Sequence, residues 1–175
     1  KVSALYRAAV GTDGVRTLAG GLEDPRAVAA HGAHQGGHWF APTVLDGLPM
    51  DAPLPQTEAF GPLVTIHPFT SEVEAVELAN ATQYGLAASV WTEDLSRAHT
   101  IASRLEAGTV WVNCWLHRQL HMPFGGVKAS GVAREGGMHS LDFFSEESTI
   151  CMKLGNRTPP PMPGRAARAA AATLA

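Results

Sequence analysis

The side chains best suited to chemistry lie together in one short stretch, VNCWLHRQLHMPFGG, residues 112–126. It contains Cys114, one of two cysteines in the chain, and Arg118 between two histidines. A cysteine becomes a nucleophile when a nearby cation, base or helix N-terminus activates its thiol. An arginine can hold a carboxylate through a two-pronged hydrogen bond. This stretch could therefore supply a nucleophile, an anion-binding group, or both.

Cys114 and Arg118 each have a structural interpretation as well. Cys114 follows the β-favouring run TVWVN, and a free cysteine in such a place commonly packs as a small core residue. Nothing local requires an activated thiol, so the residues favour a structural cysteine. Arg118 follows the end of the same predicted strand, where ligands bind in open α/β sheets. A solvated surface arginine fits that position equally well.

A second candidate group lies in QTEAFGP, at the close of the proline-rich segment 42–62. The carboxylate of Glu58 can accept hydrogen bonds from sugar hydroxyls, and the ring of Phe60 can pack on a flat partner. An exposed loop acid is the simpler alternative for Glu58. The segment itself is predicted to be an extended, ordered loop, and loops of that length usually have a task.

Two further patterns predict no site. His31, His34 and His38 lie close together in HGAHQGGH, but no fourth ligand is evident, so we predict no metal. The segment PFGGVKASG lacks the G-x-x-x-x-G-K spacing of a phosphate-binding loop. It predicts a tight turn that brings the backbone close to another group.

The elements that must position these residues alternate between strand and helix. Ser71 and Glu74 have the spacing of a capping box, which predicts a helix beginning at Ser71. A second helix is predicted to end at Gly108. Together with three apolar runs, these helices predict a helix-covered parallel sheet of the α/β class. The segments, in the order strand, helix, strand, helix, strand, are 63–69, 71–82, 86–91, 95–107 and 109–113. Three outer elements are a helix over 1–10, a helix over 138–144 and a strand over 148–154.

Composition limits the functional class. The chain has 175 residues, of which 45% are hydrophobic and 17% charged, and its net charge is −3. These values predict a globular domain and argue against a nucleic-acid partner. No apolar run reaches the ~20 residues needed to span a bilayer, and two cysteines fit a reducing compartment. We therefore expect a cytoplasmic protein with no membrane partner.

Several motifs, in order, resemble the C-terminal part of the aldehyde dehydrogenase superfamily. They are FAPTVL, TEAFGP, YGLAASVWTEDLSRA, GTVWVN, PFGGVKASGVAREGG and FFSEEST. The resemblance covers residues 1 to about 154. It implies a partial catalytic domain over 1–146 and an oligomerisation-domain strand over 147–154. The Pro- and Ala-rich composition of 155–175 predicts a mobile tail. The resemblance also implies a homo-oligomer that uses NAD or NADP.

The resemblance implies roles for individual residues. Glu58 would hold the hydroxyls of the nicotinamide ribose, and Phe60 would pack against the nicotinamide end. Phe124 would line the substrate tunnel, and Glu135 would support proton transfer. Two charged positions would brace the subunit interface, namely Arg134 and Glu146.

The same resemblance implies that Cys114 is not the nucleophile. The family's nucleophilic cysteine, its glutamate base and its Rossmann domain precede the region that matches this chain. NAD would then be bound only in part, and the 175 residues alone would be inactive. The alternative is a non-catalytic remnant that oligomerises or binds a partner.

A finer resemblance concerns the subgroup that acts on 2-hydroxymuconate and 2-aminomuconate semialdehydes. Its N-x-W-x-x-R-x-L pattern is matched by NCWLHRQL, which places Arg118 where the subgroup binds the substrate's carboxylate. The chain departs from the expected pattern at two positions. Ala133 replaces a usual glycine, so the turn is distorted if positive φ is required there. His121 stands where the subgroup often has a second arginine.

Overall fold

The computed structural model describes residues 1–26, 29, 32, 38–153 and 155, and it divides the chain into two units, Lys1–Phe144 and Ser145–Ala175. The described helices and strands all belong to the first unit. In chain order they are α1 (Val2–Val10), β1 (Arg16–Gly21), β2 (Ala41–Asp46), β3 (Leu63–Ile66), α2 (Glu72–Asn80), β4 (Tyr84–Gly85), β5 (Ala87–Val90), α3 (Leu95–Ala102), β6 (Thr109–Val112), β7 (Val127–Lys128) and α4 (Gly137–Phe144).

The first sheet has the order β1-β2-β3, with β1 antiparallel and β3 parallel to β2. Strand β2 alternates buried and outward positions, and Leu45 on its inner face is fully buried. Thr43 is buried beside it because its hydroxyl donates to the Ala41 carbonyl at 2.7 Å and accepts from the Gly21 amide at 2.8 Å. The prediction of a loop over 42–62 is therefore wrong for its first part, where β-favouring residues find a partner strand on each side.

The predicted strand–helix alternation over 63–113 is confirmed, and so is the α/β class. The strands of this segment are divided between sheets, because β5 pairs in parallel with β6 while β3 pairs with β2. Strand β3 pairs with β2 on one side and lies at the edge of the sheet. Its residues alternate between half-buried and exposed, which is typical of an edge strand. A third, two-stranded sheet joins β4 and β7 in antiparallel fashion.

The two central helices begin as the sequence predicts, but the second ends early. The Ser71 hydroxyl accepts from the Glu74 amide at 3.2 Å, which confirms the start of α2. The end of α3 lies at Ala102 rather than near Gly108. The reason is Asn80, whose side chain donates to the Arg104 carbonyl at 2.9 Å and accepts from the Glu106 amide at 2.9 Å. These two bonds hold residues 104–106 out of the helix.

Helix α3 gives a prediction of pH dependence through its cap, Asp94. The Asp94 carboxylate accepts from the Arg97 amide, and this hydrogen bond lowers the pKa of Asp94 below its usual value. Because the folded-state pKa is depressed, the stabilisation is present above the unfolded pKa of about 4 and is lost as pH falls through the folded value. Asp94→Asn keeps a capping oxygen but cannot titrate. We expect the stability difference between wild type and this variant, measured by urea unfolding, to shrink from pH 6 to pH 2.5; a constant difference would contradict the assignment.

The second unit is described over Ser145–Lys153 and at Gly155, and these residues form no regular strand. The predicted strand over 147–154 is one that would pair with another subunit. That prediction stays a prediction. Most of the predicted mobile tail, residues 156–175, lies outside the described residues.

Candidate active site

Three of the predicted site residues meet in one place. The Arg118 guanidinium donates from Nη2 to Oε1 of Glu135 at 2.6 Å. The same guanidinium lies 4.0 Å from the centre of the Phe124 ring. An arginine over an aromatic face is attracted by the electron density of the ring, so Phe124 and Glu135 hold one cation from two sides. We call Arg118, Phe124 and Glu135 the arginine cluster.

The backbone brings Phe124 and Glu135 together. Each donates its amide to the other's carbonyl, and both N···O distances are 2.8 Å. The chain can approach this closely because Gly125 has no side chain; a Cβ there would lie 2.3 Å from the Ala133 carbonyl oxygen. Arg134 supports the turn from the other side, since its Nη1 donates to the carbonyls of Gly126 at 2.7 Å and Ala133 at 3.0 Å. The predicted tight turn is present in this form.

The loop that carries Arg118 is fixed by two tryptophans that the sequence analysis did not single out. The indole Nε1 of Trp111, on β6, donates to the His117 carbonyl at 2.9 Å. The rings of Trp111 and Trp115 pack edge to face, 5.0 Å apart. Asn113 turns the chain between them with φ +52°, a conformation that asparagine tolerates better than most residues. The available signal in the sequence is the position of the two tryptophans, seven and three residues before Arg118.

The two departures from the family pattern, Ala133 and His121, do not strain the backbone in the way the sequence suggested for Ala133. Among the described residues, the non-glycine positions with positive φ are Phe60, Asn113, Leu116 and Lys128. Ala133 is not one of them, so its methyl group adds no strain of that kind. His121 is exposed, and its carbonyl lies beneath Gly137, where a Cβ would be 2.9 Å away. His121 thus shapes the entry to α4 through its backbone.

Cys114 is half-buried, and its carbonyl accepts a hydrogen bond from the Ser89 hydroxyl at 3.1 Å. This bond ties the end of β6 to β5 and uses only the backbone of Cys114. We therefore expect Cys114→Ser to keep kcat of the whole gene product within about twofold, because a nucleophile's loss costs orders of magnitude more. Steady-state assay of NADH formation measures this. A drop of a thousandfold would make Cys114 the nucleophile after all.

Glu58 and Phe60 are both exposed, as a cofactor contact requires, but they face different cavities. Glu58 lines a cavity of about 390 Å³, and the arginine cluster's Phe124 and Glu135 line a neighbouring one of about 400 Å³. The two cavities share Leu86 and Ser130 in their walls. Glu58 is therefore the nearer of the two predicted cofactor residues to the arginine cluster.

Phe60 lines a larger cavity of about 670 Å³ with Trp39 and Phe40. Phe60 is 83% exposed, and its φ is +57°. Lys1 contacts both regions: its Nζ donates to the Glu58 carbonyl, and Lys1 also lines the cavity that contains Phe60. The aromatic walls of this cavity offer flat surfaces for a ring.

The remaining candidates give no site in the described part of the chain. His31 and His34 lie outside the described residues, and His38 is exposed. Where residues are described, no group of three or more metal-ligating side chains forms. Arg134 is engaged within its own turn, and Glu146, in the second unit, is exposed. A role for either at a subunit interface stays a prediction. The part of the chain that the structure describes contains no candidate membrane-spanning helix.

The chain belongs to the aldehyde dehydrogenase family, whose sequence model matches residues 6–150. It is similar to the 2-hydroxymuconic semialdehyde dehydrogenase of Pseudomonas putida, with 47% identity over 88% of this chain and 31% of that protein. The 2-aminomuconic semialdehyde dehydrogenase of Mus musculus is 43% identical over 81% of this chain and 29% of its own length. The chain thus spans about a third of the relatives it matches.

Solved structures agree with the family and with the fold. The indole-3-acetaldehyde dehydrogenase of P. syringae, in a complex with NAD+, has a TM-score of 0.73 and 38% identity to this chain. The match covers 87% of this chain and 29% of that one. The α/β architecture predicted from the sequence is that of aldehyde dehydrogenases.

Proposed function

We propose that the chain is the C-terminal part of an NAD(P)-dependent aldehyde dehydrogenase that oxidises a semialdehyde of the muconate type to its acid. The observation that carries the proposal is the arginine cluster, where an arginine with free N–H groups lies on an aromatic ring. Semialdehydes of this type carry a carboxylate at the end away from the aldehyde. The relatives named for such substrates support the same substrate class.

In this proposal Arg118 orients the substrate and Phe124 shapes its path. A guanidinium has five N–H donors, and the hydrogen bond to Glu135 uses one of them. The remaining donors can bind a carboxylate in a two-pronged arrangement. The ring of Phe124 places an apolar surface next to the guanidinium, which excludes water from one side of the bound substrate. Glu135 can accept a proton through its second carboxylate oxygen.

The described residues fit part of a nicotinamide cofactor. Glu58 presents an exposed carboxylate that only accepts hydrogen bonds, which suits ribose hydroxyls. The exposed ring of Phe60 suits the flat nicotinamide. NAD or NADP, when bound, supplies the hydride acceptor for aldehyde oxidation. The rest of the cofactor would be bound by sequence outside these 175 residues.

The proposal is tested with two preparations. The whole gene product is expected to form NADH from NAD and 6-oxohexanoate, a stable semialdehyde with a terminal carboxylate. The isolated 175 residues are expected to form none, because the nucleophile is proposed to lie outside them. Steady NADH formation by the isolated chain would refute the second part. Absence of activity in a folded whole gene product would refute the first.

An oligomerisation role is the second candidate, and the exposed apolar surface of α4 favours it. No described residue of this helix is buried, and the side chains of Met138 and Phe144 are mostly exposed. An apolar surface of that kind marks an interface. In a whole dehydrogenase it would pack on sequence outside these 175 residues or on another subunit. In a non-catalytic remnant it would be the main function, and a folded gene product that oligomerises without oxidising any aldehyde would support that alternative.

A further inference from the structure

We infer that Glu135 is an internal counterion of Arg118 that a substrate's carboxylate replaces, so that binding of a carboxylated aldehyde releases Glu135. The inference rests on the proposed function, and it adds that the charge of the substrate controls whether Glu135 is paired with Arg118. It follows from three features of the arginine cluster: the backbone of Glu135 is fixed, its carboxylate is weakly held, and a second carboxylate at Arg118 would repel it.

Glu135 is held in place by its backbone rather than by its side chain. Its amide and carbonyl both pair with Phe124 at 2.8 Å. Because Phe124 also lies under the guanidinium, the same pairing keeps the Glu135 carboxylate within reach of Arg118. The carboxylate can therefore leave Arg118 by a rotation of the side chain, with no change in the turn.

The ion pair itself is weak enough to exchange. The side chains of Arg118 and Glu135 are 33% and 59% exposed, so water screens their attraction. Exposed pairs of this kind contribute little, since side-chain entropy offsets most of the Coulomb energy. A single hydrogen bond, from Nη2 to Oε1, joins the two groups. A two-pronged carboxylate would make one bond more than Glu135 does.

Binding of two carboxylates to the Arg118 guanidinium at once is unfavourable. A substrate carboxylate bound beside Glu135 would place two negative charges within a few ångströms, and like charges at that distance repel. Binding of the substrate therefore favours the conformation in which Glu135 has turned away. A neutral aldehyde exerts no such effect and leaves Arg118 and Glu135 paired. The carboxylate of Glu135 is then free of Arg118 for a larger fraction of the time when the carboxylated substrate is in place.

The test compares hexanoate with hexanamide, which share a chain and differ in charge. Their dissociation constants are measured by ligand-observed NMR titration of the whole gene product and its Glu135→Gln variant. Removing the competing carboxylate is expected to tighten hexanoate binding roughly two- to fivefold, the range expected for an exposed ion pair. Hexanamide binding is expected to stay the same. Glu106→Gln is the matched control, because Glu106 is paired with a different cation, Lys128, and should affect neither ligand.

Unchanged or weaker hexanoate binding to Glu135→Gln would overturn the inference, as would an equal change for both ligands. If that variant does not fold, Glu135→Ala carries the same expectation, because the bonds to Phe124 come from the backbone. Arg118→Gln separates the inference from the proposed function. If this variant keeps the preference for hexanoate over hexanamide, the substrate role of Arg118 is wrong. If it loses the preference while Glu135→Gln has no effect, only the counterion exchange is wrong.

Discussion

Arg118→Gln is expected to lower kcat/KM for 6-oxohexanoate roughly 10- to 100-fold in the whole gene product, because a hydrogen bond to a charged group contributes about 1.5–3 kcal/mol. Glutamine keeps a polar side chain of similar reach but loses the charge and the two-pronged geometry. For methyl 6-oxohexanoate, which has no carboxylate, the same substitution is expected to change kcat/KM by less than about threefold. Steady-state kinetics with the two substrates measure the difference.

The control for this substitution is Arg104→Gln. Arg104 is also exposed, but its described contacts come from its backbone, which bonds Asn80 and Ile101. Its loss should leave the ratio of the two substrates unchanged. An equal fall in kcat/KM for the acid and the ester in Arg118→Gln would show a structural role for Arg118 and contradict substrate binding.

Gly108→Ala is expected to lower the free energy of unfolding by about 2–3 kcal/mol, the upper range for an overpacked site. A Cβ at Gly108 would lie 1.7 Å from the carbonyl oxygen of Gly125 and 3.2 Å from the Cα of Gly126. Both obstacles are backbone atoms of the turn next to Phe124, so neither can move aside as a flexible side chain would. Gly108 does not have positive φ, so the effect is steric alone.

Chemical unfolding of the whole gene product measures this change, with Gly11→Ala as the control. A Cβ at Gly11 meets its nearest atoms, the carbonyl oxygens of Arg7 and Ala8, at 3.4 and 3.5 Å, which is ordinary contact. We expect that variant to differ from wild type by less than about 0.5 kcal/mol. Equal stability of Gly108→Ala and wild type would mean that the turn does not pack against the start of β6 in this way.

The sequence predicts local elements well where their signals are local. The cap at Ser71 and the β-favouring run of β6 are determined by residues a few positions apart, and both are confirmed. The end of α3 is not predictable in this way, because it depends on Asn80, more than twenty residues earlier in the chain. The sequence does not predict which strands share a sheet, for the same reason. Whether β3 pairs with β2 or β5 depends on long-range contacts that no periodicity encodes.

In the candidate site, too, the sequence predicts individual residues but not the long-range contacts between them. Residue type and position identified Arg118, and the motif resemblance gave roles to Arg118, Phe124 and Glu135. That Arg118 reaches Glu135 across seventeen positions is visible only in the structure. The arrangement depends on Gly125, on the paired backbones of Phe124 and Glu135, and on the loop after Trp111. None of these contacts has a period or a cap that a sequence would reveal.

The most direct measurement is a crystal structure of the whole gene product with hexanoate bound. We expect the hexanoate carboxylate to lie within hydrogen-bonding distance of two nitrogens of the Arg118 guanidinium, above the Phe124 ring, with the Glu135 carboxylate turned away. Hexanoate bound elsewhere, with the Arg118–Glu135 pair intact, would contradict the assignment of Arg118 as the residue that binds the substrate's carboxylate.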